Sequence, residues 1–228
     1  AGEWVEVTLT NELPQELVLE PNAPEVPVEL DRDRRILSNR VSLHANLLRY
    51  DVRTSDGSYV GKNADGTIGP GESITYRWYA DRELGVVYLQ DMADFRNHRH
   101  HGLIGALVVE PADATPLDPV TRLPRWHGAQ AIVHRPGEEA DIQEMVLLLQ
   151  DGLRLFAFGS PFLPLPDPDD GQLDPEDQGQ KGFNYRCEPF HRLQGMRNPQ
   201  PATPVWTVRE GDRLWLRLVV AADKPRNH

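Results

Sequence analysis

Residues 2–10 read GEWVEVTLT, in which a glycine and an acidic residue precede a run of alternating apolar and polar side chains. Alternation with a period of two is typical of a β-strand that has one buried face. The apolar residues that share this face are Val5, Val7 and Leu9. The opposite face carries Glu6 and Thr8, so we predict an amphipathic strand over residues 4–10.

The same pattern recurs at residues 211–218, which read GDRLWLRL. The leucines that correspond to the apolar row of the first copy are Leu214, Leu216 and Leu218. A repeated turn-and-strand unit at this distance favours tandem β-sandwich domains. We expect residues 213–220 to pair with another chain, a further part of the protein or the first domain, because an unpaired strand exposes its backbone donors and acceptors.

The rest of the chain also reads as short strands. Its 20 prolines and 18 glycines leave few windows of helical length, which favours an all-β protein over a helical bundle. The predicted strands cover residues 40–50, 73–79, 86–90, 103–109, 129–133, 145–149, 154–158 and 203–209. The Pro- and Asp-rich stretch 161–182 is interpreted as an irregular crossing between domains, with a disordered linker as the alternative.

Composition excludes several classes of function. The net charge of −11 argues against nucleic acid or an anionic membrane as the main partner, because phosphates would repel the chain. No run approaches the roughly 18 apolar residues of a membrane-spanning helix. Cys187 is the one cysteine, so an intrachain disulfide and a Cys-rich zinc site are excluded, and at most one blue-copper centre is allowed.

Five blocks of sequence occur in order along the first half of the chain. They are VSLHANLLRYD at 41–51, SDG at 55–57, GPGESITYRWYA at 69–80, GVVYLQDMAD at 85–94 and HGLIGALVVEP at 101–111. Together they resemble a cupredoxin-type domain of the multicopper oxidases, where a His-x-His strand, an aromatic strand, a Tyr-His-x-His strand and a Gly-Ala-Leu strand follow in this order. The first two blocks are most similar to the bacterial branch related to hephaestin and ceruloplasmin.

The resemblance implies an all-β, cupredoxin-like Greek-key β-sandwich. It places one near-complete domain at 1–111, an inter-domain segment with additional strands at 112–200 and the opening strands of a second domain at 201–228. It also implies a copper-dependent oxidoreductase that is extracellular or periplasmic. Its partners would be the remaining cupredoxin domains or another chain that completes the sheet. That other chain could be a second copy of this one in a homo-oligomer. The alternative is a non-catalytic scaffold or binding module that has lost its copper sites.

Copper ligation in this family uses His-x-His strands, because residues i and i+2 of a strand share a face and aim two imidazoles at one point. His44 matches the first ligand of one such strand, whereas Asn46 takes the second position. Gln90 and Met92 stand where the other strand would place its two imidazoles. The resemblance implies copper for the whole protein. In this domain, however, one matched ligand of four does not hold a trinuclear cluster.

Histidines elsewhere in the chain are further candidates for metal binding. In an extended segment, His98 and His100 would face the same way and could chelate a divalent metal beside His101, with a solvated polar loop as the alternative. Asn227 and His228 resemble the start of a His-rich strand of the next domain.

The remaining candidates are the thiol and the acidic stretch. Cys187, His191 and Met196 are spaced like a blue-copper ligand loop, but we predict a free thiol without copper. The carboxylates of 167–177 could bind calcium, although their spacing favours a solvated acidic surface.

Overall fold

The structure, a computed structural model, describes residues 1–15, 38–100, 102–153, 180–185 and 206–221. These residues form ten strands and one short helix. In chain order they are β1 (Glu3–Thr10), β2 (His44–Ala45), β3 (Ser73–Ala80), β4 (Gly85–Gln90), α1 (Phe95–His100), β5 (Ile104–Val109), β6 (Thr115–Leu117), β7 (Gln130–His134), β8 (Ile142–Leu153), β9 (Gln180–Phe183) and β10 (Arg213–Ala221). The predicted all-β class is confirmed.

The strands of the described residues belong to three sheets. The first pairs β1 antiparallel with β3, from Glu3 opposite Ala80 to Thr10 opposite Ser73. The second runs β2–β4–β5 and is antiparallel throughout. The third runs β10–β8–β7–β6, with β9 also paired to β8. Within it, β10 and β8 run parallel, while the other pairs are antiparallel.

The main core lies between the first and second sheets. Tyr76 and Trp78 of β3 are fully buried and stack with their ring centroids 5.9 Å apart. Each also binds a loop carbonyl, because a buried polar group needs a partner. Trp78 Nε1 donates to Ser55 O at 3.0 Å, and Tyr76 Oη donates to Gly66 O at 2.7 Å. The loop of residues 55–66 is thereby tied to the core.

The two copies of the repeated strand both form strands. The predicted strand 4–10 corresponds to β1, and 213–220 corresponds to β10. The expected pairing of residues 213–220 with another chain, a part of the protein outside this sequence or the first domain is wrong, because β10 pairs with β8 of the segment 112–200. The sequence pattern did not indicate this pairing, because parallel pairing joins strands that are distant along the chain. The domain boundaries at residues 111 and 200 stay a prediction.

Two segments differ from their predictions. Residues 40–50 form only the two-residue β2, flanked by isolated bridges from Val41 to Ile68 and from Arg49 to Tyr79. Leu47 has a φ of 65°, a conformation that interrupts an extended strand. Residues 97–100, expected to lie in an extended segment or loop, belong to helix α1.

Two further predicted strands, 154–158 and 203–209, are not seen as strands in the described residues. Residues 206–209 of the predicted strand 203–209 are not in a strand, whereas 203–205 and the predicted strand 154–158 lie outside the described residues.

Candidate functional site

His44 lies at the position where the family resemblance places a copper ligand. It sits on β2 directly opposite Gln90 of β4. Directly opposite residues of antiparallel strands have Cβ atoms about 4.5–5.5 Å apart. The side chain of Gln90 is therefore the neighbour that could bind a metal ion together with His44. An amide is a poor substitute for the imidazole that copper prefers.

The His44 imidazole has a fixed orientation. Its Nδ1 lies 2.7 Å from the backbone carbonyl of Asp56, which can only accept, so Nδ1 carries a proton and donates. The Asp56 Oδ1 atom lies 3.5 Å from the same nitrogen. A histidine whose Nδ1–H is held by a carbonyl presents Nε2 as the atom that could bind a metal. His44 therefore retains the tautomer of a metal ligand.

Tyr50 and Ser58 surround the same aspartate. The Tyr50 ring meets His44 edge-on, with centroids 5.9 Å apart. Burial, together with a hydrogen bond to Asp56 and its negative charge, raises the pKa of Tyr50 to about 12. Ser58 Oγ donates to the Asp56 carboxylate. Tyr50 therefore stays a neutral phenol at physiological pH, and this cluster orients His44 without adding an imidazole.

The other ligand positions are used for backbone contacts. Asn46 Nδ2 donates to Tyr88 O at 3.3 Å, and its backbone N–H donates to the same carbonyl at 3.1 Å. Because β2 ends at Ala45, Asn46 does not continue the alternation that His-x-His would require. Met92 donates its backbone N–H to Ser42 Oγ at 2.9 Å.

His98 belongs to a buried polar cluster of a different kind. Its Nδ1 lies 3.0 Å from Asp91 Oδ2 and its Nε2 lies 2.7 Å from Ser38 O. A carbonyl only accepts and an ionised carboxylate only accepts, so both ring nitrogens donate and His98 is an imidazolium. Burial alone would lower the pKa of His98, but the Asp91 carboxylate, the Ser38 carbonyl and the charge of Asp94 raise it above 6.5.

Asp91 holds this cluster in place. It is almost fully buried and also accepts from the backbone N–H of Ser42 at 2.7 Å and of Asp94 at 2.7 Å. The carboxylate therefore joins the start of α1 to the segment before β2. Asp91 thus fixes these two segments. Because both ring nitrogens of His98 donate hydrogen bonds, His98 has no nitrogen left for a metal.

The extended segment that the predicted chelation by His98 and His100 required is wrong, because both residues lie on α1. His101, His228, Cys187, His191, Met196 and the acidic stretch 167–177 lie outside the described residues. Within the described ranges, three or more His, Cys, Asp or Glu side chains do not come together as a metal site.

A charged cluster between the second and third sheets has no counterpart in the sequence predictions. Arg217 of β10 contacts both Glu110, which follows β5, and Glu144 of β8. Arg135, which follows β7, contacts Glu110 and Glu83. The one signal in the sequence was the alternation of GDRLWLRL, which places Trp215 and Arg217 on one face of the strand. Charged residues are rarely buried, so this row would ordinarily be assigned to solvent.

The indole of Trp215 fills the space between the two arginines. Its ring lies 4.2 Å from Arg135 Cζ and 4.5 Å from Arg217 Cζ. Guanidinium groups at this distance from an indole are attracted to its π-face. Trp215 thus packs the cluster while it holds both cations beside the carboxylates.

Comparison with known proteins found similar solved structures. No protein-family model matches the sequence, and no curated protein matches it. A copper nitrite reductase from Nitrosomonas europaea, determined at pH 8.5, has a TM-score of 0.38 and 19% identity. The match covers 80% of this chain and 42% of that protein, so the chain spans less than half of its length. In the described part of the chain, no helix is both long and apolar enough to cross a membrane.

Proposed function

We propose that this chain is a copper-poor, cupredoxin-type part of a multicopper-oxidase-like oxidoreductase, and that its described residues serve as a scaffold. The supporting observation is the β2–β4 pairing, in which His44 faces Gln90. The site keeps one correctly oriented imidazole and offers an amide where a second imidazole would complete a chelate. An extracellular or periplasmic location, and copper in the whole protein, are parts of the same proposal.

The proposal is tested by removing and then restoring imidazoles at this position. For the wild-type chain and His44→Ala, we expect the same Cu(II) affinity within about threefold, measured by calorimetry and electron paramagnetic resonance. Gln90→His should bind Cu(II) roughly tenfold or more tightly than the wild type, because two imidazoles then face each other across antiparallel strands. The double variant His44→Ala/Gln90→His is the matched control and should lose that gain.

Two outcomes would contradict the scaffold role. One is loss of tightly bound copper in His44→Ala, which would make His44 a working ligand. The other is a Gln90→His chain that folds, as its circular dichroism would show, and gains no copper affinity. The second outcome would mean that the β2–β4 register does not place the two side chains together.

The alternative function, a binding module, is favoured by the outer face of β10. Leu214, Leu216, Leu218 and Val220 are 48%, 54%, 48% and 41% exposed, and β10 ends its sheet among the described strands. The equivalent row of β1 packs on a sheet of this chain, so the partner proposed for β10 is another cupredoxin-type sheet, from a further domain or a second chain. Leu216→Lys should then reduce association in sedimentation velocity, while Trp4→Lys, at an exposed site on β1, should not.

A further inference from the structure

Two carboxylates and one guanidinium meet between the second and third sheets. Arg217 donates Nη2 to Glu110 Oε1 at 2.6 Å and Nε to Glu144 Oε1 at 2.8 Å. The side chains of Glu110, Glu144 and Arg217 are only 13%, 6% and 19% exposed. Because Glu110 follows β5 while the other two lie on β8 and β10, the trio joins the two sheets.

Further charged groups surround this trio. Arg135 donates Nε to Glu110 Oε2 at 3.1 Å, donates Nη2 to the same oxygen, and donates Nη2 to Glu83 Oε1 at 2.8 Å. The Ala1 ammonium group donates to the backbone carbonyl of Glu110. Glu144 contacts neither Arg135 nor Ala1, so within the trio two carboxylates share the single guanidinium of Arg217.

Of the three carboxylates, Glu144 has the negative charge that is least stabilised. Glu83 is 45% exposed and is stabilised by water, and Glu110 accepts from both arginines. Glu144 is the most buried of the three, and the charged groups that face it are Arg217 and Glu110. A neutral carboxyl at this position could donate its proton to the neighbouring carboxylate, which would replace a repulsion with a hydrogen bond.

We propose that Glu144 is a proton-binding latch between the two sheets. When Glu144 takes up a proton, its carboxyl donates to the Glu110 carboxylate while Arg217 stays bound to both, and the contact between β5 and β8–β10 tightens. When the proton leaves, two carboxylates face each other across one guanidinium and the contact loosens. The latch is independent of any copper.

The protonation of Glu144 follows from its surroundings. Burial raises the pKa of its carboxyl, Arg217 opposes the rise, and the negative charge of Glu110 adds to it, so the pKa lies above the ordinary 4.5. A carboxyl whose pKa is raised on folding binds its proton more tightly in the folded state. Its stabilising effect is therefore fully present below pH 4.5 and is lost as the pH rises through the folded-state pKa.

Glu144→Gln tests the latch directly, because glutamine has nearly the shape of a protonated glutamic acid. We expect the full chain with this substitution to have a Tm at pH 7.5 that is about 2–4 °C higher than the wild type. The difference should vanish as the pH falls to 4.5. A lower Tm at pH 7.5 would show that the ionised Glu144 stabilises the contact, which would overturn the latch.

Glu138→Gln is the matched control, because Glu138 lies in the turn before β8 and pairs with Arg213 of β10. Glu138 accepts from Arg213 Nη1 at 2.6 Å, but both side chains are about 40% exposed. The hydrogen bond and charge of Arg213 lower the pKa of Glu138, so neutralising it should slightly decrease the Tm at pH 7.5. A shift in the same direction for both variants would contradict the latch.

A titration of the wild-type chain provides a measurement that needs no variant to fold. With glutamate labelled at its side-chain carboxyl carbon, the carbon-13 resonance of Glu144 should titrate above the ordinary glutamate range, and that of Glu110 should respond over the same interval. A Glu144 resonance that titrates at or below the ordinary range would overturn the proposal.

Discussion

β1 and β10 carry the same turn-and-strand pattern, yet they bury opposite rows. In β1 the aliphatic row of Val5, Val7 and Leu9 packs against the core around Tyr76 and Trp78. In β10 the equivalent leucines point outward, while the row with Trp215 and Arg217 faces the charged cluster. Alternation defines two faces of a strand, and the layer that packs against it selects which of them is buried.

The two strands also differ in the direction of their pairing and in the side chains that contact the neighbouring strand. β1 is antiparallel to β3 and shares exposed hydroxyl pairs with it, Thr8 with Thr75 and Thr10 with Ser73, each at 2.8 Å. β10 is parallel to β8, and its Arg217 contacts Glu144 of β8, while its Arg213 contacts Glu138 in the turn before β8. The inward row of the first copy is thus apolar, whereas that of the second also carries a charged side chain.

The largest expected effect comes from the core beneath β1. Trp78→Ala should lower the free energy of unfolding by about 3–5 kcal/mol, because it removes a fully buried indole and leaves a cavity. Urea denaturation followed by circular dichroism measures this. Trp4→Ala, which changes a 56% exposed indole on β1 itself, should cost at most about 1 kcal/mol. Equal costs would show that the core does not lie where β3 places it.

A matched pair of truncations compares the two repeats directly. Val7→Ala should cost about 1 kcal/mol, because the side chain packs against the core. Leu216→Ala, at the corresponding position of β10, should change the free energy of unfolding by no more than about 0.5 kcal/mol, because more than half of that side chain is exposed. The same urea titration measures both. A larger loss for Leu216→Ala would mean that the outer row of β10 is covered in solution.

The buried His98 should make the stability depend on pH near neutrality. The raised pKa of His98 means that its stabilising effect is fully present below pH 6.5 and is lost as the pH rises through the folded-state value. We therefore expect the Tm to fall between pH 6.5 and 8.5, and His98→Gln to remove part of that fall. An unchanged fall in His98→Gln would assign it to another group.

The smallest effect should come from the hydroxyl pairs of β1 and β3. Thr8→Ala removes one exposed cross-strand hydrogen bond and should cost about 0.2–1 kcal/mol. Amide hydrogen exchange across β1 is the more sensitive measurement, and faster exchange should be confined to the neighbours of Thr8 and Thr75. Faster exchange throughout β10 would contradict this prediction, because it would show that opening of β1 also opens β10, which belongs to a different sheet.

Much of the fold could be predicted because its strands have strong local signals. β1, β3, β4, β5, β7 and β10 lie within one or two residues of their predicted ranges. The segment 40–50 was predicted less well, since the turn at Leu47 has no glycine or proline to mark it. Helix α1 was missed because it is six residues long and is held by side-chain hydrogen bonds of the nearby Asp91, which leave no periodic signal.

The candidate site was predicted in part. The family resemblance drew attention to His44, Asn46, Gln90 and Met92, and the structure pairs His44 with Gln90. That these are ligand positions stays a prediction. The partners of His44 and His98 could not be predicted, because Asp56, Ser38 and Asp91 reach them through loop geometry. Hydrogen bonds between residues far apart in sequence leave no periodic signal.

By itself, the sequence determined the all-β class, the positions of most strands and the scarcity of imidazoles where the family resemblance would place copper ligands. These properties are local, since they depend on side-chain alternation, on turn residues and on residue identity. Only the tertiary structure decided which row of each repeated strand is buried and that β10 pairs with β8. It also decided that Glu110, Glu144 and Arg217 meet. Burial and electrostatic pairing depend on neighbours across the fold, and residues 110, 144 and 217 become neighbours only when the sheets pack.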